Sequence, residues 1–303
     1  IHSGDSASIL PPLSLSAEMI DLVSRQTKEI ALNLGVVGLM NIQFAIFENE
    51  LYIIEVNPRA SRTVPFVSKA SGIPMAKVAT RVMWQGGLRE ALKFYDEFGV
   101  LVEEKGILKP RIKNHICVKE SVFPFNKLAG ADLILGPEMK STGEVMGIGE
   151  SFAKSFAKSQ IGASNALPSG GKVFLSLADH DKVRAVELAQ AFKRLGFSLV
   201  ATGGTHKLLG ENGVECEFIY KISEGRPNIE DKLKNGEISL VINTSDSKSN
   251  SADAAKIRQS VLRFKLPYFT TMKAAIAATR SVCAIKDGSA LEVKTLQEYL
   301  RGE

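Results

Sequence analysis

Gln43, Glu55 and Asn57 carry side-chain oxygens at a spacing that can gather them. Met40, Ile42, Phe44 and Ile46 alternate with Asn41, Gln43, Ala45 and Phe47, the period of a strand. Glu48-Asn49-Glu50 supplies a turn, and Leu51 to Val56 reads as the return strand. With Phe47 opposite Leu51, Ala45 faces Ile53, Gln43 faces Glu55 and Asn41 faces Asn57. Directly opposed residues have Cβ atoms roughly 4.5–5.5 Å apart. Gln43, Glu55 and Asn57 then form one oxygen-bearing cluster. The other face, with Met40, Ile42, Phe44, Ile46, Tyr52, Ile54 and Val56, is apolar and needs a core. Carboxylate and amide oxygens suit Mg²⁺, which keeps few protein ligands and takes others from substrate phosphates. Arg59, two residues past Asn57, could neutralise charge on a transferring phosphoryl group. Spacing alone leaves a second reading open, a solvated polar sheet face with an exposed arginine.

A second group of polar residues falls at the ends of short β-type runs. Ser176 ends Val173–Leu177, Thr202-Gly-Gly-Thr205 follows Ser198–Ala201, and Lys221 follows Phe218-Ile-Tyr220. Asn243-Thr244-Ser245 follows Leu240-Val-Ile, and Lys182 opens a helical run. Small residues let a backbone approach a phosphate, and a helix N-terminus favours an anion. Together these strand ends point to an anion site, with ordinary caps and turns as the alternative. His180-Asp181 is not expected to be a catalytic pair. Cys117, Cys216 and Cys283 show neither zinc nor disulfide spacing and are expected to be buried or incidental.

The elements that position these residues divide the chain. A helix is expected from about Ala17 to Leu34, with Ser16 as N-cap and Gly35 as stop. The stretch from Gln85 to Asn114 is charged and reads as helices and loops. Gly162 to Gly171 is rich in small and turn-forming residues and reads as a linker. Beyond it, β-type runs alternate with helices at Lys182–Arg194, His206–Asn212 and Ala252–Phe264, which argues a parallel sheet covered by helices. The expected division is 1–161, a linker at 162–171, and 172–303.

The whole chain narrows the function classes. Its 303 residues suffice for two domains, and 45% hydrophobic with 23% charged residues fits a globular protein. The formal charge of +5 is mild, without a dense basic block and interleaved aromatics, so no nucleic-acid partner is expected. No run is apolar enough to span a bilayer, so no membrane partner is expected either. Three widely spaced cysteines suit a reducing cytoplasm. The chain begins at Ile1, and His2-Ser-Gly-Asp-Ser6 reads as a working loop, so an N-terminal part is expected to be missing.

Met40-Asn-Ile-Gln-Phe and Ile54-Glu-Val-Asn-Pro-Arg-Ala-Ser-Arg-Thr-Val-Pro-Phe-Val-Ser-Lys-Ala-Ser-Gly72 resemble the metal and nucleotide segment of the ATP-grasp domain in carbamoyl-phosphate synthetases. His2-Ser-Gly-Asp-Ser6 and Gly136-Pro-Glu-Met-Lys-Ser-Thr-Gly-Glu-Val-Met-Gly147 resemble the same family. The part after the linker resembles the methylglyoxal-synthase-like domain that ends the synthetase large subunit. The fold implied is α/β and α+β: the end of the second ATP-grasp unit, then a parallel-sheet regulatory domain. The resemblance implies ATP and Mg²⁺ or Mn²⁺ as cofactors and phosphorylation of carbamate to carbamoyl phosphate, for arginine and pyrimidine biosynthesis. Gln43 and Glu55 would bind ATP and metal, Asn57 metal, and Arg59 would sit near the phosphates as the catalytic group. Ile1, His2 and Ser3 would lie along the nucleotide.

In the regulatory part, Lys182, Thr202, Thr205, Lys221, Asn243 and Ser245 match a site for nucleotide monophosphates, UMP as inhibitor and IMP as activator. A threonine is the family's residue at Ser245, and the hydroxyl is kept. Asp5, Glu120, Tyr268 and Thr270 match a site for ornithine. The partner implied is a glutaminase small subunit, in a cytoplasmic hetero-oligomer. The chain alone is expected to lack synthetase activity. The segment from Trp84 to Cys117 is about a dozen residues longer than the family's form and reads as a surface insertion. Two other readings are weighed, an effector-binding module without catalysis and a free-standing lyase like methylglyoxal synthase. The hairpin argues against the lyase.

Overall fold

The computed structural model describes residues 1–112, 114–125, 133–244, 252–287 and 291–302. They form two compact units, Ser8–Cys117 with Val293–Glu303, and Ile1–Ala7 with Val118–Glu292.

The first unit contains β1 (Ser8–Leu10), α1 (Ala17–Asn33), β2 (Asn41–Phe47), β3 (Glu50–Asn57), α2 (Val64–Ser71), α3 (Met75–Gln85), α4 (Leu88–Phe94), β4 (Leu101–Glu104) and β5 (Ile107–Pro110). A short helix, Leu296–Arg301, completes it. Ser16 caps α1 as its sequence predicts, accepting from the Met19 N–H at 3.2 Å. The charged stretch expected to be helices and loops contains a hairpin, β4 antiparallel to β5. A bidentate Arg89–Glu103 contact at 2.6 and 2.8 Å ties β4 to α4. The core here is small, with Ile73, Val78, Ala91, Leu92 and Val100.

β2 and β3 pair as expected at Asn41↔Asn57 and Gln43↔Glu55. Beyond Gln43 the expected register is corrected by one residue, to Ala45↔Tyr52 and Phe47↔Glu50. The turn has two residues rather than three. Glu48 and Asn49 have φ of 48° and 64°, the left-handed pair that a tight hairpin turn requires. A bulge at Ile54 restores the pairing at Glu55. Tyr52 therefore shares a face with Ala45 and Phe47, not with the apolar row predicted for it.

The second unit contains β6 (Ile116–Val122, from Val118 on), β7 (Gly143–Gly149), α5 (Phe152–Gly162), β8 (Lys172–Ser176), α6 (Ala185–Arg194), β9 (Ser198–Ala201), α7 (Gly203–Glu211), β10 (Glu217–Phe218), α8 (Ile229–Lys234), β11 (Leu240–Asn243), α9 (Ala252–Phe264), β12 (Tyr268–Phe269) and α10 (Met272–Lys286). Five strands form a parallel sheet in the order β10-β9-β8-β11-β12. Alternate residues feed two cores, as both-face burial demands. Val173, Leu175, Ala201 and Ile242 meet α6, α7 and α10 through Leu188, Phe192, Leu209 and Ala278. Phe174, Val200 and Val241 meet α8 and α9 through Ile229, Leu233, Ile257 and Val261. The run expected to be helical from Lys182 begins inside a 3-10 helix, Asp179–Arg184, and continues as α6 from Ala185.

The compact units do not divide at 162–171. α5 packs on β7 before that stretch and on α10 after it. Phe156 lies 6.4 Å from Phe269, and both belong to the core that holds Val173 and Leu175. A glycine-rich segment thus joins elements of one core.

Candidate functional site

The oxygen cluster stands where the hairpin puts it. Gln43 and Glu55 are a direct cross-strand pair, and Asn57 is two residues further along the Glu55 face. Asn57 is half-buried, and its Nδ2 is shut from solvent without a hydrogen-bond partner among the described residues. An amide turns over without changing shape, which would present the oxygen at that point instead. An orphaned amide beside a glutamate and a glutamine fits a hard cation, whose remaining ligands come from water or phosphate. Among the described residues no three His, Cys, Asp or Glu side chains gather to hold a metal, so such a site depends on the amides. Arg59 is exposed. Its N–H donates to Asn57 O at 2.8 Å, and its Nη1 donates to Ala60 O at 3.0 Å. Arg59 thereby stays beside the cluster.

Ile1, His2 and Ser3 belong to the other unit. Ile1 is exposed, and His2 Nδ1 accepts from the Gly4 N–H at 2.9 Å. The loop they start is anchored by Asp5, which is 4% exposed. Asp5 Oδ2 accepts from the Lys140 N–H at 2.8 Å. Oδ1 accepts from the Ser141 N–H at 2.9 Å and from Ser141 Oγ at 2.5 Å. Burial alone would raise the Asp5 pKa. The Ser141 hydroxyl and the two backbone N–H groups outweigh it and hold the carboxyl below its ordinary range. The Ser121 hydroxyl donates to Gly4 O at 2.9 Å, Ser141 Oγ lies 3.0 Å from the same oxygen, and the His2 N–H donates to Gly136 O at 2.8 Å. The His2–Ser6 and Gly136–Gly147 motifs therefore clasp each other, a contact that spacing gave no means of finding.

Glu120 is half-buried on β6. Burial pushes its pKa up, opposed by bonds from the Ser121 N–H and Gln160 and by the charge of Lys119. Lys119 is itself buried, 3.4 Å from Glu144 on β7, and sequence reasoning missed that pair. Tyr268 and Thr270 are in the same unit as Glu120, at β12 and just beyond it. The Tyr268 N–H donates to Asn165 at 3.2 Å.

The anion candidates collect at the carboxyl ends of the parallel strands, where open α/β sheets bind ligands. Ser176 and Asn243 are paired at the ends of β8 and β11, where the strand order reverses. Thr202 starts α7 but makes no side-chain cap. Its hydroxyl contacts Ser176 Oγ at 3.3 Å instead, so the first-turn N–H groups of α7 are left for another acceptor. Thr205 Oγ accepts from the Leu177 N–H at 3.1 Å. Lys182 Nζ lies 2.6 Å from Asp179 Oδ1, and 3.0 Å from where a Cβ on Gly204 would stand. A side chain there would collide with the ammonium group. Asn243 is buried, and its Oδ1 has no hydrogen-bond partner among the described residues. Lys221 is more exposed, 3.8 Å from Glu224. Ser245 lies outside the described residues. The structure thus gathers Lys182, Thr202, Thr205 and Asn243, with Ser176 and Thr244 beside them. Thr244 Oγ accepts from the Ala178 N–H at 2.9 Å. His180, exposed, lies 3.4 Å from the half-buried Asp181. Cys117 is buried and Cys216 partly so, and burial raises both thiols to about 12, leaving them poor nucleophiles. Cys283 is exposed.

Two family models match. Residues 1–91 match "Carbamoyl-phosphate synthase L chain, ATP binding domain", and residues 184–270 match "MGS-like domain". The chain is 61% identical over 301 residues to a carbamoyl phosphate synthase large chain of Campylobacter jejuni, covering 99% of this chain and 28% of that one. A Helicobacter pylori large chain is 53% identical over 302 residues, covering 99% and 27%. A protein of Aquifex aeolicus described as the C-terminal section of a large chain is 48% identical over 308 residues, covering 98% and 57%. The chain therefore spans little more than a quarter of the first two relatives.

Proposed function

The chain belongs to the carbamoyl phosphate synthase large-chain family, and from that premise we propose that it acts as the C-terminal part of such a chain. In this reading residues 1–161 descend from an ATP-grasp domain, 162–171 are a connection, and 172–303 form the regulatory domain. The activity is ATP-dependent phosphorylation of carbamate to carbamoyl phosphate, in the cytoplasm, together with a glutaminase small subunit. ATP is carried by the family match at residues 1–91. The metal, Mg²⁺ or Mn²⁺, would be held by Gln43, Glu55 and Asn57, and would supply charge neutralisation at the phosphates. Glu55 fixes the carboxylate, and Arg59 offers a guanidinium beside it. Ile1, His2 and Ser3 would line the nucleotide.

The observation that carries the reading is the Gln43–Glu55 pair with the orphaned Asn57 amide, inside the matched segment. In a large chain containing these residues, Glu55→Ala should lower carbamoyl phosphate synthesis by about 100-fold or more, the usual loss when one transition-state stabiliser is removed. Activity within a few-fold of the parent would refute the assignment. The 303 residues alone should show no synthesis.

The regulatory domain is proposed to bind UMP or IMP at the strand ends. Lys182, Thr202, Thr205 and Lys221 would surround the phosphate, and Asn243 would sit at the sheet's switch point. Asp5, Glu120, Tyr268 and Thr270 would serve ornithine. Calorimetric titration should show that Lys182→Ala weakens UMP or IMP about tenfold, the loss of one charge-assisted contact. Equal binding by the variant would place the phosphate elsewhere.

A further inference from the structure

Gly162-Ala-Ser-Asn-Ala has the composition of a passive connection, yet Asn165 is engaged on both ends of its amide. Its Nδ2 donates to Gln160 Oε1 at 2.7 Å, and its Oδ1 accepts from the Tyr268 N–H at 3.2 Å. Gln160, on α5 and 2% exposed, donates in turn from Nε2 to Glu120 Oε2 at 2.6 Å. Three hydrogen bonds thus run unbroken from β6 through α5 and the connection to β12.

The chain of bonds has a direction that chemistry fixes. An ionised carboxylate only accepts, and a backbone N–H only donates. Both amides between them are held in one orientation by those ends. A proton on Glu120 Oε2 would meet the Gln160 NH₂ donor. Turning Gln160 to receive it would set its NH₂ against that of Asn165. Turning Asn165 as well would set its NH₂ against the Tyr268 N–H. No rearrangement of the amides accommodates the neutral acid on that oxygen. Oε1 accepts from the Ser121 N–H at 3.2 Å. Among the described residues, Lys119 is the charged group that acts on Glu120, and it is shared with Glu144 on β7. α5 brings an amide to Glu120 and no charge.

We propose that Gln160 and Asn165 are positioning residues, a one-way relay that keeps the half-buried Glu120 carboxylate an acceptor for a cationic ammonium ligand and couples its state to β12. The proposal rests on the reading of Glu120 as part of an effector site for a diamino acid. A cation or proton on Glu120 withdraws electron density from the Gln160 bond, and linked bonds of this kind respond together. The far end of the relay is the backbone of β12, which pairs with Val241 and Ile242 of β11, the residues just before Asn243.

The test is a pH titration of the full 303-residue chain by NMR, with labelled glutamate carboxyls and side-chain amides. The side-chain NH₂ signals of Gln160 and Asn165 and the Tyr268 N–H should move with the midpoint of the Glu120 carboxyl. A Tyr268 N–H that stays fixed through the Glu120 titration overturns the relay, with no variant needed. In Gln160→Met, a near isostere without polar ends, the Glu120 midpoint should rise by about one unit, a tenfold change in proton affinity, and the Tyr268 response should vanish. An unchanged midpoint overturns the proposal. Millimolar L-ornithine should perturb the same signals in the parent chain. If it does not, the effector reading fails while the titration still decides the relay.

Discussion

Two carboxylates in the same unit face opposite electrostatic treatment. Asp5 accepts three hydrogen bonds from Lys140 and Ser141, and its pKa is held below the ordinary aspartate value. Glu120 accepts two, and burial raises it above the ordinary glutamate value. Because the folded pKa of Asp5 is depressed, its contribution is fully present above the unfolded value and is lost as pH falls through the folded one. Asp5→Asn should therefore cost about 2 kcal/mol at pH 7, the scale of hydrogen bonds to a charged group. The cost should shrink as the pH falls below the ordinary aspartate value. Urea unfolding of parent and variant at pH 7 and at about pH 2 checks the trend. A loss that is equal at pH 7 and pH 2 would mean the carboxylate's charge is irrelevant. The acid itself was readable in His2–Ser6, but its partners were not. Ser141 is 136 residues away, and no local pattern encodes such a contact.

At the scale of elements, close approach of backbones decides more than side-chain pattern. A Cβ on Gly147 of β7 would stand 1.9 Å from Ser155 O and 2.5 Å from Ser159 N of α5. Both are backbone atoms, so no rotamer change can make room. Gly147→Ala should displace α5 from β7 and cost about 3 kcal/mol or more, beyond ordinary overpacking. Thermal unfolding of the variant measures it, and a melting temperature within about 2 °C of the parent would show that the helix yields freely. The same motif was legible as Gly-Glu-Val-Met-Gly, without the reason for its last glycine. The hairpin shows the complementary limit. Counting from a Phe47–Leu51 pair places Gln43 opposite Glu55, and that pairing holds because the bulge at Ile54 offsets the shift of the shorter turn. The same count misjudges the outer pairs, because a two-residue turn shifts the register by one and the bulge at Ile54 cancels the shift only before Glu55. Asn49 marks a turn, but neither Glu48 nor Ile54 is a usual residue for such a device, so the turn's length and the bulge left no mark in the sequence.

Across the whole molecule, composition and packing draw different boundaries. The glycine-rich stretch at 162–171 marks where the regulatory sheet begins, and the parallel order of its strands follows from the alternation of helices and strands along the chain. Yet the core of that sheet includes Val118 and Phe156, which lie before the stretch. α10 rests on α5, and Asn165 is bonded in place. Contacts of this kind join segments far apart in sequence and leave no local trace, which is why the linker looked like a boundary. A fragment of residues 172–303 would lose α5 and expose the α10 surface that α5 covers, including the side of the core where Phe156 meets Phe269. Burying a large apolar side chain contributes about 1.5–3 kcal/mol, a large share of the usual stability of a domain, about 5–15 kcal/mol. The fragment should therefore unfold at markedly lower urea than one of residues 118–292, which keeps β7 and α5. Equal midpoints for the two fragments would show that the sheet is independent of α5, and that the boundary read from composition is also the folding boundary.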